Sequence, residues 1–165
     1  MAAERHNPSP GRQVLALAVF FAACFGAAGL GSLFTAFSLG SWYDALAKPS
    51  WTPPSWVFGP VWTLLYALMA IAGWLVWRHG GDAAPPALGW FTAQLVLNVG
   101  WSAAFFGLRM PGLACLEILA LWLAIAATLV ASWRVSGLAA LLLAPYLVWV
   151  SFAAILNVAI WRLNT

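Results

Sequence analysis

The chain has 165 residues, 64% of them hydrophobic and only 7% charged. Soluble domains carry about 25% charged residues, so a water-facing surface is excluded and the bilayer must be the solvent, with membrane lipid as the first partner. The net charge of +3 rests on scattered single residues. There is no basic cluster of the kind nucleic-acid binding needs, and no nucleic-acid partner is expected.

After an N-terminal tail, residues 1–13, five apolar stretches can each supply the roughly 20 helical residues that cross a bilayer. The first, 14–39, is longer than a signal peptide's apolar core of about 7–15 residues and lacks a convincing cleavage site, so it reads as a retained helix. Its small pairs Ala22/Gly26 and Ala27/Gly31 permit close helix contact, inside the bundle or along a dimer seam. The loop 40–54 ends in Pro53-Pro54, which cannot continue a helix but starts one well. The second span, 55–78, therefore begins at a rigid elbow flanked by Trp51, Trp56 and Trp62. Fixed aromatic walls at a helix mouth suit a flat, apolar ligand.

Gly80-Gly81-Asp82 and Pro85-Pro86 separate the second span from the third, 88–108, which carries a further small pair, Gly100/Ala104. Short turns at 109–112 and 134–137 make the third span, the fourth (112–133) and the fifth (136–161) antiparallel neighbours. An open sheet would strand backbone polar groups in lipid. The fold class expected is an all-α membrane protein, a five-transmembrane-helix bundle forming one domain over 14–165. With an odd number of spans the termini lie on opposite sides, and no inverted repeat of the transporter type is visible. Lys48, Arg109 and Arg162 fall on the side of the 40–54 loop, and Arg5, Arg12, Arg78 and Arg134 on the other. Four against three does not set an orientation.

At about 1.5 Å of rise per residue, Trp62 and Trp101 lie roughly 10 Å below the loop side, Glu117 about 9 Å and Asn157 about 7 Å. Tyr66, Asn98, Trp122 and Trp149 lie about 15–18 Å down. These residues share one half of the membrane, beneath the 40–54 loop. Trp42, Trp51, Trp74, Trp77, Trp90, Trp133 and Trp161 lie near span ends, where an aromatic belt accounts for them. Trp62, Trp101, Trp122 and Trp149 are too deep for the belt and either fill the bundle or face a ligand. Glu117 is an acid inside a span and marks a site by default. It also complements the N-terminus of its helix, within reach of Arg109. Asn98, Asn157 and Gln94 serve either as interhelical glue or as ligand contacts.

Conventional chemistry is missing. Cys24 and Cys115 sit inside apolar runs and read as small buried hydrophobes. No Cys/His spacing marks a metal or redox site, and His6 and His79 lie at segment ends. There is no nucleophile triad, acid–base pair or phosphate loop. No cofactor is required and no metal is expected.

The stretch from Trp42-Tyr43 through Lys48-Pro49-Ser50-Trp51-Thr52-Pro53-Pro54-Ser55-Trp56-Val57-Phe58-Gly59-Pro60-Val61-Trp62-Thr63-Leu64-Leu65-Tyr66 resembles the signature of the translocator protein family, the tryptophan-rich sensory proteins or TspO. Gln94-Leu95-Val96-Leu97-Asn98-Val99-Gly100-Trp101 with Phe105-Phe106-Gly107 is similar to that family's third helix. Pro145-Tyr146-Leu147-Val148-Trp149, Leu156-Asn157 and Trp161-Arg162-Leu163-Asn164 are similar to its fifth. The likeness covers about 14–164.

The resemblance implies a five-helix bundle, usually a homodimer, with a pocket closed by the first long loop. It implies ligands of the protoporphyrin, haem, sterol and benzodiazepine type, bound by a receptor or sensor. A light-dependent porphyrin-degrading activity through Trp62 and Trp149, or porphyrin or sterol transport, are the alternatives. By motif, the ligand-binding residues are Trp51, Phe58, Gly59, Trp62, Tyr66, Asn98, Trp101, Trp149, Ala153 and Leu156. The family's sterol motif needs a tyrosine where this chain has Val158, before Arg162, which weakens the case for sterol. Leu39, Tyr43 and Lys48 satisfy the same permissive pattern in the loop. The Ala/Leu/Trp-rich style reads as a bacterial membrane protein rather than one of the mitochondrial outer membrane.

Overall fold

The computed structural model describes residues 8–38 and 40–165. Arg5, His6 and Leu39, on which some of the expectations above fall, lie outside the described residues. Six α-helices follow in order: α1 (Pro10–Ala36), α2 (Trp42–Ala45), α3 (Phe58–His79), α4 (Ala84–Ser102), α5 (Pro111–Trp133) and α6 (Gly137–Leu163). No strand occurs among the described residues.

The helix starts follow from proline chemistry. Pro10, Pro85 and Pro111 each stand at a first-turn position of α1, α4 or α5, where a missing N–H costs nothing and the fixed φ is already helical. The Pro53-Pro54 elbow delivers the chain into a single 3₁₀ turn, Ser55–Val57, and then into α3. Ser136 caps α6 by accepting from the Ala139 N–H at 3.4 Å. The turns use left-handed backbone at Gly40, Gly81 and, unusually for a residue with a Cβ, Arg109 at φ 57°.

Several boundaries move from their expected places, beginning with α1, which already starts at Pro10, inside the expected 1–13 tail, because proline is suited to the first turn. The first helix ends at Ala36 rather than 39, and the Ser38 hydroxyl donates to the Phe106 carbonyl at 2.6 Å. The third long helix starts earlier, at Ala84, and does not finish as an α-helix: Ala103–Gly107 forms a π turn, with the Leu108 N–H reaching the Ala103 carbonyl at 2.7 Å.

α1 packs on α3 and α4, α3 on α6, and α5 lies between α4 and α6. Close approach uses small residues. Gly31 of α1 lies against Ser102, and Gly73 of α3 lies under the rings of Phe20 and Phe91. Ala27, Gly31 and Ala104 are thus consumed inside the bundle, whereas Ala22 and Gly26 face outward. Met69, Leu121, Ile125, Leu143 and Tyr146 fill the centre. Large apolar side chains such as Val14, Leu15, Leu116, Leu141 and Val148 stand exposed on the outside, a surface only lipid can cover.

Among the described residues, four stretches are long and apolar enough to cross a membrane: Pro10–Ala36, Ser55–His79, Pro111–Trp133 and Gly137–Leu163. α4 is not among them. Its two prolines and its Thr92, Gln94 and Asn98 dilute its apolar run, and it sits against α1, α3 and α5. The molecule is an all-helical integral membrane protein.

Candidate functional site

In the half of the bundle nearest the 40–54 loop, the helices enclose a cavity of about 530 Å³, within the range of small-molecule sites. Each wall is a helical stripe. Phe58, Gly59, Trp62 and Tyr66 of α3 recur at intervals of one turn, as do Trp149, Ala153, Leu156 and Ile160 of α6. α4 supplies Asn98, Trp101 and Ser102, and the π turn that follows it supplies Phe105, at the same spacing. The π turn brings Phe106 into the wall beside it, and the two rings pack edge to face at 4.8 Å. α1 contributes Phe25, Gly31, Ser32 and Thr35, and Tyr43 of α2 comes from the loop.

The floor is a hydrogen-bonded bridge across three helices. The Tyr66 hydroxyl donates to Asn98 Oδ1 at 2.5 Å, and Asn98 Nδ2 donates to the Tyr146 hydroxyl at 2.9 Å. All three side chains are buried, where an unpaired polar group is costly. A second bridge closes the α4–α6 corner. Trp101 Nε1 donates to Asn157 Oδ1 at 2.9 Å, while Asn157 Nδ2 donates to the Pro111 carbonyl at 2.9 Å. Asn98 and Asn157 therefore act as interhelical glue, and both also border the cavity. Gln94, one turn below Asn98, is fully buried and neither lines the cavity nor finds a hydrogen-bond partner.

Aromatic rings form the remaining surface. Phe58 meets Trp149 edge-on at 5.8 Å, and Trp62 lies 5.6 Å from Tyr66 and 6.1 Å from Tyr146. Trp149 also borders an apolar groove on the outer face between α3 and α6. Its indole N–H is buried without an acceptor, unlike those of Trp101 and Trp122. On the α1–α3 side the cavity is open, with exposed Ser32, Ser55, Gly59 and Thr63 at its rim and Trp56 standing 75% exposed beside them.

The loop bears on the cavity through Tyr43, whose ring packs on Phe105 and Phe106 at 6.3 and 5.6 Å and carries the Lys48 ammonium 4.7 Å above it. Burial, and then the neighbouring Asp44 carboxylate, push the Tyr43 phenol above its ordinary pKa of 10.0. Of the expected binding residues, Phe58, Gly59, Trp62, Tyr66, Asn98, Trp101, Trp149, Ala153 and Leu156 line the cavity. Trp51 does not: it is 47% exposed and meets Phe152 edge-on at 5.9 Å, one ring removed from Trp149. Trp122 also lies elsewhere, donating to Ser151 Oγ at 2.8 Å between α5 and α6. The Glu117 carboxylate is turned onto Gly100 of α4, its Oε1 2.6 Å from where a Cβ would stand. Val158 is exposed on the outer face of α6, away from the cavity.

Sequence reasoning missed the α1 wall, Tyr43 as a lining residue, and Phe105, Phe106 and Ile160. Ser32 and Thr35, two hydroxyls at the loop end of an otherwise apolar run, were the available signal for α1. Among the described residues, no lining side chain is charged and none is His, Cys or Met, and no group of three His, Cys, Asp or Glu could hold a metal ion.

Comparison with known proteins agrees in extent with this geometry. The chain is 44% identical over 155 residues to the tryptophan-rich protein TspO of Chlorobaculum tepidum, covering 93% of this chain and 98% of that one. It is 48% identical over 126 residues to the human translocator protein, covering 74% and 75% of the two chains. It is 39% identical over 145 residues to the tryptophan-rich sensory protein of Cereibacter sphaeroides, covering 88% and 89%. Residues 18–162 match the sequence profile of the TspO/MBR family. That stretch holds all six α-helices but for the ends of α1 and α6, together with every wall of the cavity, and the chain belongs to the TspO/MBR family.

Proposed function

We propose that this protein is a membrane receptor or sensor that takes a porphyrin-type ligand into the cavity beneath the 40–54 loop. The observation that carries the reading is the placement of Trp62, Trp101 and Trp149, from three different helices, on one shared apolar space. Flat aromatic walls with a few polar groups match a planar tetrapyrrole. The lining offers the iron of haem no imidazole, thiolate or thioether, and of its two phenols Tyr66 is committed to Asn98 and Tyr43 is held protonated by burial, so a metal-free porphyrin is the better fit. Sterol fits less well, since Val158 replaces the motif tyrosine and faces outward.

The same placement favours one second reading. Indole is the most readily oxidised aromatic side chain, and Trp62 and Trp149 both border the cavity. A light-excited porphyrin held there would have two electron donors in contact, which supports photodegradation of the bound ligand. In this reading α4, packed against α1, α3 and α5 despite its polar residues, completes five spans in a bacterial membrane, and the protein works as a homodimer. Family membership is what supports the dimer.

The test is a titration of purified protein with protoporphyrin, following tryptophan quenching and the Soret band, then illumination. Binding without bleaching identifies a receptor. Bleaching that disappears in Trp62→Phe and Trp149→Phe, with binding retained, identifies the degrading activity. Absence of quenching sinks both.

A further inference from the structure

α3 finishes at the end of the bundle remote from the cavity, with Arg78 and His79 in its last turn. The Arg78 side chain is half-buried and lies back along its helix, its guanidinium carbon 5.2 Å from the centre of the Trp74 ring. Helical side chains tilt in that direction, and the tilt carries the cation about one turn, roughly 5 Å, toward the bilayer. The ring beneath it is fixed in turn, because Trp74 Nε1 donates to the Gln13 carbonyl of α1 at 3.2 Å. Arg78 Nε is buried and finds no acceptor among the described residues. It faces protein and is closed to any ligand. The two Nη groups are the part of this half-buried side chain left to face outward. A guanidinium does not give up its charge, and the face of an aromatic ring attracts it without accepting its N–H groups.

We propose that the α1–α3 edge at this end binds the phosphate of an anionic membrane lipid. The phosphate accepts from the Arg78 Nη groups, whose fork matches its oxygens. Arg12 precedes Gln13, the residue that anchors Trp74, and stands exposed at the same end of α1. It supplies a second positive charge to the headgroup. The described residues at this end include Arg12, Arg78 and Arg134 against one acid, Asp82, so a headgroup of net negative charge is preferred over a zwitterion. Val14 and Leu15 follow closely on α1 and are 69% and 66% exposed. They offer the acyl chains an apolar surface next to the charges. A free phosphate ion would meet the cations and miss that surface. The site needs nothing in the cavity and stands apart from the porphyrin reading.

The experiment follows thermal unfolding of the full chain by circular dichroism in one neutral detergent, as phosphatidylglycerol or phosphatidylcholine with the same acyl chains is added. Phosphatidylglycerol should raise the midpoint at a concentration at least fivefold below that required of phosphatidylcholine, about the effect of one cation at a charged membrane surface. Arg78→Gln should bring the two lipids within about twofold of each other. Arg12→Gln should weaken the preference by about twofold, and Arg134→Gln, on the same side but on α5, should keep it. Inorganic phosphate at the same concentrations should leave the midpoint where it is. An equal response of the parent to both lipids overturns the proposal. So does a preference that survives Arg78→Gln, or one that falls as far in Arg134→Gln, since a diffuse field and not a site would then be responsible. A shift reproduced by inorganic phosphate removes the lipid as occupant and overturns it too. If Arg78→Gln does not fold, the exposed Arg12→Gln carries the test, and a preference unchanged by it overturns the site.

Discussion

Asn164, the residue after the last turn of α6, pairs with both main-chain groups of Ala47: its Nδ2 donates to the Ala47 carbonyl at 2.9 Å, and its Oδ1 accepts from the Ala47 N–H at 3.0 Å. A side-chain amide thus completes the backbone of the loop as a neighbouring strand would. The latch joins the loop that carries Tyr43 to the helix that carries Trp149, Ala153 and Leu156. Each such bond contributes about 1 kcal/mol net. Asn164→Ala should therefore raise the local opening of the loop by about tenfold or more. Hydrogen exchange at Ala47 measures this without any ligand, and unchanged exchange would show that Asn164 does not hold the loop.

The Tyr66–Asn98–Tyr146 bridge makes a sharper demand. Replacing Asn98 by Leu roughly conserves volume but leaves two buried phenols without their partner. At about 1–3 kcal/mol for each unsatisfied group, the variant should lose about 2–6 kcal/mol of stability. Unfolding in a graded detergent mixture reads this directly. Tyr66→Phe, which strands one acceptor, should lose less. Equal losses in the two variants would show that Tyr146 does not depend on Asn98.

The sequence disclosed this site unevenly, for physical reasons. The α3 and α6 walls were legible because proline and aromatic spacing fix where those helices begin and which stripe carries Trp62 and Trp149. The α1 wall was not. That helix is apolar on all sides, so no periodicity separates the face that meets Ser102 from the face that meets lipid. The π turn at Ala103–Gly107 was hidden for another reason. It is a register change supported from outside the helix, by the Ser38 hydroxyl on the Phe106 carbonyl, and nothing in Ala103-Ala104-Phe105-Phe106-Gly107 forbids an ordinary α turn. Trp51 shows the converse. Motif proximity placed it in the site, yet the Pro53-Pro54 elbow turns it to the outside, against Phe152.

Tyr43 should make the loop sensitive to alkali. Its phenol is held above the ordinary 10.0 first by burial and then by Asp44, so the closed loop favours the protonated form. That contribution is complete below the ordinary value and is lost as pH rises through the raised one. Exchange at Ala47 should accelerate above about pH 10 beyond the intrinsic base-catalysed rate. In Tyr43→Phe the extra acceleration should vanish. Asp44→Asn should move the tyrosine absorbance titration down toward its ordinary position, and a titration that stays put would remove Asp44 from the account.

Two glycines at helix contacts should respond differently to alanine. A Cβ at Gly73 would lie 2.7 and 2.8 Å from Phe20 Cδ1 and Cε1 and 3.0 Å from Phe91 Cζ. Phe91 is buried, and the stiff ring of Phe20 can retreat only by giving up its edge-to-face contact with it at 5.8 Å. Overpacking of this kind costs about 1–3 kcal/mol, more than the roughly 0.5–1 kcal/mol that alanine gains over glycine within a helix. Gly73→Ala should be destabilised. A Cβ at Gly100 would lie 2.6 Å from Glu117 Oε1, but that atom is the far end of a flexible side chain at a half-buried position. The carboxylate can swing aside, the helix gains its alanine, and Gly100→Ala should unfold within about 0.5 kcal/mol of the parent. If Gly100→Ala instead loses as much as Gly73→Ala, Glu117 is fixed in place by its surroundings, and its carboxylate contributes to the α4–α5 contact rather than merely resting on it.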